Sequence, residues 1–351
     1  MVKNDTDHGR PLLSICIPTY NRAYILKESL DSLVSQNRFS EVEVVISDNC
    51  STDCTKEVVA EFVKKYPNIR YFRNEKNIED RNFPTVLMKA KGVYRKLVND
   101  SLCYKTGALD FLRECVQKNI DNRPFLYFDN GNIRNSDRDF FIAESLAAYM
   151  DYVSYFITWI GGFGLWEEDC VNLQDEFKYC DTHLWQVYKT CKLVSDGRRA
   201  IVFSKKILWH AKNLSIYETS KDLSYGVFRV FYVNYFDILK PYVDNAFISA
   251  TLNKKLKKDV LFGLFLDLFI NIPIKNHSIG NETNYKQLVH AVYKQEPYYL
   301  LFCIEYRLRY FLEKNKRNRI EFFSNLKSFA KTFPALKLLL AIKRRLHIKL
   351  Y

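Results

Sequence analysis

Short apolar runs alternate with helical patterns along the first part of the chain. Four runs have the length and composition of buried strands, at 12–18, 42–48, 69–74 and 94–100. Between them, apolar residues three or four positions apart predict helices over 22–36, 54–66 and 82–92. Strands that alternate with helices of this length predict an α/β, Rossmann-like fold, with a mostly parallel sheet covered by helices on both faces.

The pattern is more mixed after about residue 110. It predicts strands at 123–130, 138–143 and 198–204, a helix at 181–194, and an aromatic loop with a Gly-Gly pair at 152–166. From about Ser224 the spacing is helical and rich in Phe, Tyr, Leu and Lys. No internal repeat or low-complexity linker separates these regions, so we expect them to pack together.

Charge favours anionic partners and is concentrated near the end of the chain. The formal net charge is +13, and residues 301–351 hold 13 Lys and Arg against 3 acids. Leu and Ile at helical spacing with Lys and Arg over 333–351 suit a helix at an anionic membrane surface. The same segment also suits a basic helix packed on the rest of the protein, or a dimer contact. No nucleic-acid recognition motif is present, so nucleic acid is not an expected partner.

The cysteines, the first residues and the longest apolar run indicate the cellular compartment of the protein. The nine Cys include no C-x-x-C pair, and the odd count indicates a reducing cytosol with buried thiols. The first residues are polar, so we expect no signal peptide. The longest apolar run, 260–274, is too short to span a bilayer and contains Asp267. Any membrane association is therefore expected to be peripheral.

Polar residues follow three of the predicted strands where each ends. They are Pro18-Thr19-Tyr20-Asn21-Arg22, Asp48-Asn49-Cys50-Ser51 and Asn99-Asp100-Ser101. The carboxyl ends of parallel strands lie at one edge of the sheet, so these groups should converge there. An acid, small polar groups and an arginine suit a nucleotide with its phosphates. Neither G-x-G-x-x-G nor G-x-x-x-x-G-K-[ST] occurs, which argues against a dinucleotide dehydrogenase and a P-loop NTPase.

The strand ends carry a resemblance to a known family. "SICIPTYNRAYILKESLDSLVSQ", "EVVISDNCSTDCT", "RNEKNI" and "GVYRKLVND" occur in the order found in inverting family 2 glycosyltransferases of GT-A fold. The resemblance covers about 11–110, continues more weakly to about 215, and is closest to bacterial enzymes of surface polysaccharide synthesis, including abequosyltransferase-like members. It implies a GT-A catalytic domain over 1–223, with a nucleotide-binding half at about 11–110 and an acceptor half at about 111–223. A basic, mostly helical region would follow over 224–351.

The resemblance also implies roles for the strand-end residues. The residues implied to bind the nucleotide-sugar are Pro18, Thr19, Tyr20, Arg22, Asp48, Asn49, Ser51, Asn77, Asn99 and Asp100. Asp48 would contact the uracil or ribose, and Asp100 would hold Mn²⁺ or Mg²⁺ against the diphosphate, with His210 as a second metal or phosphate contact. Most relatives have two or three acids at the Asp100 motif, and this chain has one. A single carboxylate with phosphate oxygens and water still suits these cations.

The acceptor side is implied by later residues. Asp181 would be the base that deprotonates the acceptor, with Asp175 and Glu176 as rivals. Trp159, Gly161, Gly162 and His183 would face the acceptor. Four of the candidate residues also have a purely structural interpretation. Asp181 could be a helix cap, Trp159 a core aromatic, and His183 and His210 ordinary surface or core histidines. Side chains such as Glu79, Asp80 and Arg81 are candidates for donor discrimination.

Two functions follow from these observations. The first is transfer of a hexosyl or N-acetylhexosaminyl group, with inversion, from a UDP-sugar to a growing glycan such as lipopolysaccharide or capsule. The acceptor would be an oligosaccharide or lipid-linked, and the protein would be cytoplasmic or peripheral on the cytoplasmic face of the inner membrane. The alternative is a non-catalytic subunit that binds a sugar-nucleotide. The single acid at the Asp100 motif, where most relatives have two or three, suggests it.

Overall fold

The computed structural model describes residues 10–133, 139–212, 226, 228–275 and 285–314. The basic segment 333–351 that was predicted to meet a membrane or a partner lies outside these residues. The described residues divide into two compact units, one ending at Val260 and the other beginning at Leu261.

The first unit is built around a five-stranded sheet. Its strands are β1 (Leu13–Thr19), β2 (Glu43–Asp48), β3 (Ile69–Arg73), β4 (Tyr94–Leu97) and β8 (Gly164–Trp166). The order is β3-β2-β1-β4-β8, and all neighbours are parallel except β4 and β8. Every residue of β1 and β2 is buried, as expected for central strands of a parallel sheet covered on both faces. The four strands predicted in this region are confirmed.

Helices connect the parallel strands. They are α1 (Ala23–Val34), α2 (Thr55–Lys65) and α3 (Asn82–Lys89), each within a few residues of its predicted bounds. Asp53 supports the start of both α1 and α2, because its carboxylate accepts hydrogen bonds from the backbone N–H groups of Ala23 and Thr55. The turn after β2 is thereby fixed next to the turn after β1.

Two smaller sheets complete this unit. β5 (Leu102–Tyr104) pairs with β10 (Leu208–His210), and β9 (Ala200–Phe203) lies between β6 (Phe125–Phe128) and β7 (Phe140–Ala143). The helices of this part are α4 (Ala108–Lys118), α5 (Leu146–Val153), α6 (Trp185–Ser195), α7 (Tyr235–Asp244) and α8 (Ala250–Asp259). Leu208–His210 runs antiparallel to Leu102–Tyr104, which brings a distant part of the chain beside the loop that follows β4.

Several predicted bounds differ from the structure, and two of them lie next to the candidate site. The fourth strand was expected to reach 100 but ends at Leu97, because the chain turns at Asn99, whose carbonyl accepts from the N–H of Leu102. The helix expected over 181–194 begins only at Trp185 and follows a 3₁₀ segment at Leu173–Thr182. His183 separates the two with a left-handed backbone, φ 59°.

The second unit is helical where it is described. It contains α9 (Leu266–Lys275), α10 (Tyr285–Tyr293) and α11 (Tyr299–Lys314). The Phe302 ring packs between those of Phe262 and Phe269, with ring centres 5.8 and 5.5 Å away. Among the described residues, no helix combines the length and apolar character that a membrane span needs. The nine cysteines are all free thiols, and six of them are buried.

Candidate functional site

A cavity of about 550 Å³ opens where β1, β2 and β4 end. Its walls come from the three predicted strand ends, from the loop and helix after β3, and from the turn before α6. The lining residues are Pro18, Thr19, Tyr20, Arg22, Asn49, Asn77, Glu79, Asp80, Asn82, Phe83, Asn99, Asp100 and His183. The polar tips of the three strands therefore do converge, because parallel strands end at one edge of the sheet.

Asp100 is bound on both carboxylate oxygens. Its Oδ1 accepts from Nη1 of Arg22 at 2.8 Å, and its Oδ2 accepts from the Thr19 hydroxyl at 2.9 Å. The Asp100 side chain is only 4% exposed, against 21% for Arg22. Groups from the ends of β1 and β4 are thus joined in one charge-assisted cluster at the cavity wall.

Asn49 organises the opposite loop. Its amide group donates to Oδ1 of Asn77 at 2.7 Å and to the carbonyl of Glu79 at 3.2 Å, and its Oδ1 accepts from the N–H of Ile78. Oδ1 of Asn77 also accepts from the N–H of Glu79 at 2.8 Å. Glu79 has a left-handed backbone, φ 53°, which is unusual for a residue other than glycine. A single amide at the end of β2 therefore shapes the 77–79 turn.

Asp48 and Ser51 lie behind this wall and do not line the cavity. The Asp48 carboxylate is fully buried and accepts from the Ser51 N–H at 2.8 Å and the Tyr71 hydroxyl at 2.6 Å. The Arg73 guanidinium lies 3.6 Å from it. Burial and this hydrogen bond to Asp48 raise the pKa of Tyr71. In this arrangement Asp48 fixes the β2 turn and touches no open space.

Two ion pairs join the turn after β3 to the segment before α6. Nδ1 of His183 lies 2.8 Å from Oδ2 of Asp80, and both residues line the cavity. Nη2 of Arg81 donates to Oδ1 of Asp181 at 2.8 Å, and neither residue lines the cavity. The Asp181 side chain is 61% exposed. The structure therefore brings His183 to the site and leaves Asp181 outside it.

The Gly-Gly loop is packed into the protein. A Cβ on Gly161 would lie 2.5 Å from the Trp159 ring, and one on Gly162 would lie 2.5 Å from the Tyr127 ring. Lys96, only 1% exposed, donates to the carbonyls of Gly161, Leu97 and Phe163 at 2.6 to 3.0 Å. Trp159, Gly161 and Gly162 do not line the cavity, and Trp159 packs against the core.

Asp100 and His210 are the residues predicted to contact a metal ion. His210 does not line the cavity, but its backbone pairs with Leu102 and the next N–H, of Ala211, donates to the Ser101 carbonyl. The β5–β10 ladder thus places His210 beside the Asp100 loop. In the part of the chain that the structure describes, no group of three or more His, Cys, Asp or Glu is arranged to hold a metal. The oxygens of Asp100 and Thr19 fit a hard cation that takes its other ligands from phosphate and water.

Two residues of the cavity wall, Asn82 and Phe83, were not predicted from the sequence. Asn82 is buried and exchanges hydrogen bonds with Ser47, its Oδ1 accepting from the hydroxyl and its amide donating to the carbonyl. This pair ties the start of α3 to β2. An asparagine at a helix start after a polar turn was the available signal, but capping explains it equally well.

The comparisons agree with this geometry. Residues 14–99 match the sequence model of the family described as Glycosyl transferase family 2. The chain is 44% identical over 123 residues to the abequosyltransferase RfbV of Salmonella typhimurium, which is 33% of this chain and 34% of that protein. It is 33% identical over 106 residues to the GalNAc(5)-diNAcBac-PP-undecaprenol beta-1,3-glucosyltransferase of Campylobacter jejuni. This match covers 30% of this chain and 34% of that protein. The matches thus span about a third of the length of these curated relatives.

The fold has a solved counterpart. TarS 1–349 of S. aureus, in a crystal structure with UDP-GlcNAc, aligns with a TM-score of 0.50 and 16% identity over 87% of this chain and 91% of that one. The chain therefore has a GT-A-like fold, with the helical C-terminal region following it. Within it, residues 14–99 are the part that matches the Glycosyl transferase family 2 model.

Proposed function

We propose that this protein is an inverting glycosyltransferase that moves a sugar from a UDP-sugar to a growing surface glycan. The observation that carries the proposal is the cavity at the ends of β1, β2 and β4, which is lined mostly by residues of the segment that matches the family 2 model. Its position is the one where open α/β sheets bind ligands. The sugar transferred would be a hexose or an N-acetylhexosamine.

The nucleoside would lie between the end of β1 and the Asn49–Asn77 pair, with Pro18 and Tyr20 beside it. Asp48 and Ser51 support this end of the cavity through the β2 turn. A direct contact of Asp48 with the uracil or ribose requires its carboxylate to exchange the Tyr71 hydroxyl for the ligand. Asn99 and Asp100 would face the diphosphate.

A divalent cation, Mn²⁺ or Mg²⁺, would be held by Asp100 with phosphate oxygens, and His210 is proposed as a further contact. The cation would neutralise charge on the diphosphate leaving group. Asp100 now pairs with Arg22, so cation binding would release the Arg22 guanidinium toward the phosphates. Arg22 and the cation would then act on the same developing negative charge.

The acceptor would approach from the side of His183, and we propose direct displacement without a covalent sugar intermediate. The resemblance assigns the base to Asp181 and the acceptor loop to Trp159, Gly161 and Gly162. The Campylobacter relative is named for a lipid-linked acceptor. For this chain we propose a glycan acceptor, free or lipid-linked, reached from the cytoplasm or from the cytoplasmic face of the inner membrane.

The competing function is a subunit that binds the nucleotide-sugar and does not turn it over. The Asn99-Asp100-Ser101 motif favours it, because its one acid is already paired with Arg22 and bonded to Thr19, and one paired carboxylate attracts a cation less strongly than two or three acids. A thermal-shift screen of UDP-, GDP-, CDP- and dTDP-sugars, with and without Mn²⁺, followed by a transfer assay with oligosaccharide and lipid-linked acceptors, separates the two. We expect UDP-sugars to raise the unfolding temperature of the protein, and Mn²⁺ to increase this rise. We also expect the protein to transfer the sugar to an acceptor. Binding without transfer would favour the subunit, and no binding by any donor would reject both.

A further inference from the structure

Three consecutive charged residues of the turn after β3 differ in their access to the cavity. Arg81 does not line the cavity, and its guanidinium is bound to Asp181 at 2.8 Å. Glu79 lines the cavity but is exposed to solvent. Asp80 also lines the cavity, and only 19% of its side chain is exposed. Asp80 is therefore the acid of this turn that is both at the cavity and partly shielded from water.

We propose that Asp80 is a specificity-determining residue, whose carboxylate accepts a hydrogen bond from a hydroxyl group of the sugar on the nucleotide donor. This inference rests on the proposed function, and it deepens that function by placing the transferred sugar against the turn after β3. The sugar is then a hexose or N-acetylhexosamine that carries a free hydroxyl group at the position that Asp80 contacts.

The charges along the cavity wall separate the parts of the donor. A diphosphate is anionic, so it is attracted to Arg22 and to a cation at Asp100. The same diphosphate is repelled by the carboxylates of Glu79 and Asp80. A sugar is neutral and rich in hydroxyl groups, and a carboxylate accepts strong hydrogen bonds from such groups. The acidic turn therefore suits the sugar and not the phosphates.

The contact with His183 holds the Asp80 carboxylate in place. Nδ1 of His183 lies 2.8 Å from Oδ2 of Asp80, and this hydrogen bond raises the pKa of His183 while burial opposes the shift. His183 is itself fixed by a left-handed backbone, φ 59°, and by the bond from its N–H to the carbonyl of Cys180. A carboxylate has about four lone-pair sites, so the bond to the imidazole leaves capacity for a sugar hydroxyl. A carboxylate that is already held loses little freedom when the sugar binds.

The start of α3 adds an apolar group to the same wall. Asn82 is buried and exchanges two hydrogen bonds with Ser47, which fixes the start of α3 to β2. Phe83, three residues after Asp80, also lines the cavity. A carboxylate accepts from the hydroxyl groups of a sugar, and an aromatic ring packs against its C–H groups. This part of the wall therefore has both kinds of side chain that bind a sugar.

The location also fits the order of the reacting groups. The carbon that is attacked belongs to the sugar, so the sugar must lie between the diphosphate and the acceptor. The diphosphate is proposed to lie at Asp100, and the acceptor to approach from the side of His183. Asp80 lines the same cavity as Asp100 and is joined to His183, so it can contact a sugar between the two.

The test compares the wild type with Asp80→Ala and Asp80→Glu in the full-length chain. Affinities for UDP, UDP-glucose, UDP-galactose, UDP-GlcNAc and UDP-GalNAc are measured by calorimetry with Mn²⁺ and without acceptor, and folding is checked by thermal unfolding. Asp80→Ala should weaken binding of the sugar donor that the wild type prefers by about tenfold or more, because a hydrogen bond to a charged group is lost. Binding of UDP, which has no transferred sugar, should stay within about threefold.

Asp80→Glu keeps the charge and moves the carboxylate by one methylene group. It should change the order of affinity among the four sugar donors and leave the affinity for UDP unchanged. This variant gives the same test if Asp80→Ala fails to fold.

Asp181→Ala is the matched control. It removes the other ion pair between the same two segments, also 2.8 Å long, from a residue that does not line the cavity. If the connection between the segments determined donor affinity, Asp181→Ala and Asp80→Ala would weaken the sugar donors alike. We expect Asp181→Ala to bind every donor within about threefold of the wild type, whatever its effect on transfer.

Deoxy analogues of the preferred donor identify the hydroxyl group. The analogue that lacks the hydroxyl bound by Asp80 should bind the wild type about tenfold more weakly than the parent donor does. It should bind Asp80→Ala as well as the parent donor does, because the same hydrogen bond is already lost. The other deoxy analogues should lose the same factor in both proteins.

Three outcomes overturn the inference and leave the proposed function intact. They are sugar donors that bind Asp80→Ala and Asp80→Glu as they bind the wild type, an Asp80→Ala protein that loses UDP as strongly as the sugar donors, and an Asp181→Ala protein with the same selective loss. A wild-type chain that binds no nucleotide-sugar would overturn both. The predicted Asp80 effect in a protein that transfers no sugar to any acceptor would reject the proposed transferase and uphold this inference.

Discussion

Arg22 and Asp100 form an ion pair across the ends of β1 and β4, with 2.8 Å between Nη1 and Oδ1. The pair links Arg22, which the resemblance places in the nucleotide-sugar pocket, to Asp100, which it assigns to the cation. Asp100 lines the cavity and is already paired with the arginine, so a cation at this carboxylate would compete with Arg22 for it. We therefore expect binding of the cation and of the anionic diphosphate to be coupled.

Asp100→Asn should show this coupling. The amide keeps the size of the side chain but loses the charge that attracts a cation and pairs with Arg22. Transfer should fall by about 100-fold or more, and Mn²⁺ should no longer strengthen UDP binding in calorimetry. Asp31→Asn, an exposed acid paired with Lys27 on α1, is the control and should behave as the wild type. Turnover close to normal in Asp100→Asn would reject the cation role.

Glu79 tests the shape of the turn over the cavity. Its left-handed backbone costs a residue with a Cβ about 1–2 kcal/mol, which glycine avoids. Glu79→Gly should therefore unfold at the same urea concentration as the wild type or a higher one, and Glu79→Val should unfold at a lower one. Equal midpoints for the two variants would show that this backbone is not held in the left-handed region in solution.

The burial of Lys96 should make the free energy of unfolding depend on pH. Desolvation lowers the pKa of Lys96 to about 7 in the folded protein, with Cys16 acting weakly in the opposite direction. Between that value and its ordinary value near 10.4, the unfolded chain binds the extra proton, so this group makes stability rise with pH. The slope approaches about 1.4 kcal/mol per pH unit.

The measurement is urea unfolding of wild type and Lys96→Met from pH 7 to 10. The wild type should gain stability relative to the variant as the pH rises. A difference that stays constant across this range would mean that the ammonium, bound to three carbonyls, keeps an ordinary pKa.

Gly162 tests whether the Gly-Gly loop serves packing. The Cβ of an alanine would meet the Tyr127 ring at 2.5 Å, so Gly162→Ala should destabilise the fold by about 1–3 kcal/mol. Tyr127→Leu removes the ring that the new methyl group would meet. The double variant should therefore be destabilised by less than the sum of the two single destabilisations. Additive effects in that cycle, together with a raised KM for the acceptor alone, would instead support the acceptor role.

The sequence predicted the two central strands of the sheet because β1 and β2 are fully buried and mostly apolar runs. Leu13–Thr19 and Glu43–Asp48 have no exposed face, so their pattern is unambiguous and their polar ends mark the edge of the sheet. The convergence of Thr19, Asn49 and Asp100 at one cavity followed from parallel pairing alone.

Two features of the site could not be predicted, because they depend on tertiary contacts and not on the spacing of apolar residues. Leu173–Thr182 has apolar spacing that fits a helix, but the chain forms a 3₁₀ segment that ends at His183. Whether an acid at a strand end faces a ligand or the interior also depends on its partners. Asp48 is turned to Ser51 and Tyr71, whereas Asp100 lines the cavity, and nothing in the local sequence separates the two.

A crystal structure of the protein with UDP and Mn²⁺ would show whether the cavity at the ends of β1, β2 and β4 binds the donor. We predict uridine beside Thr19, Asn49 and Asn77, and the diphosphate with its cation at Asp100. Nucleotide bound at another surface, or a diphosphate far from Asp100, would contradict it.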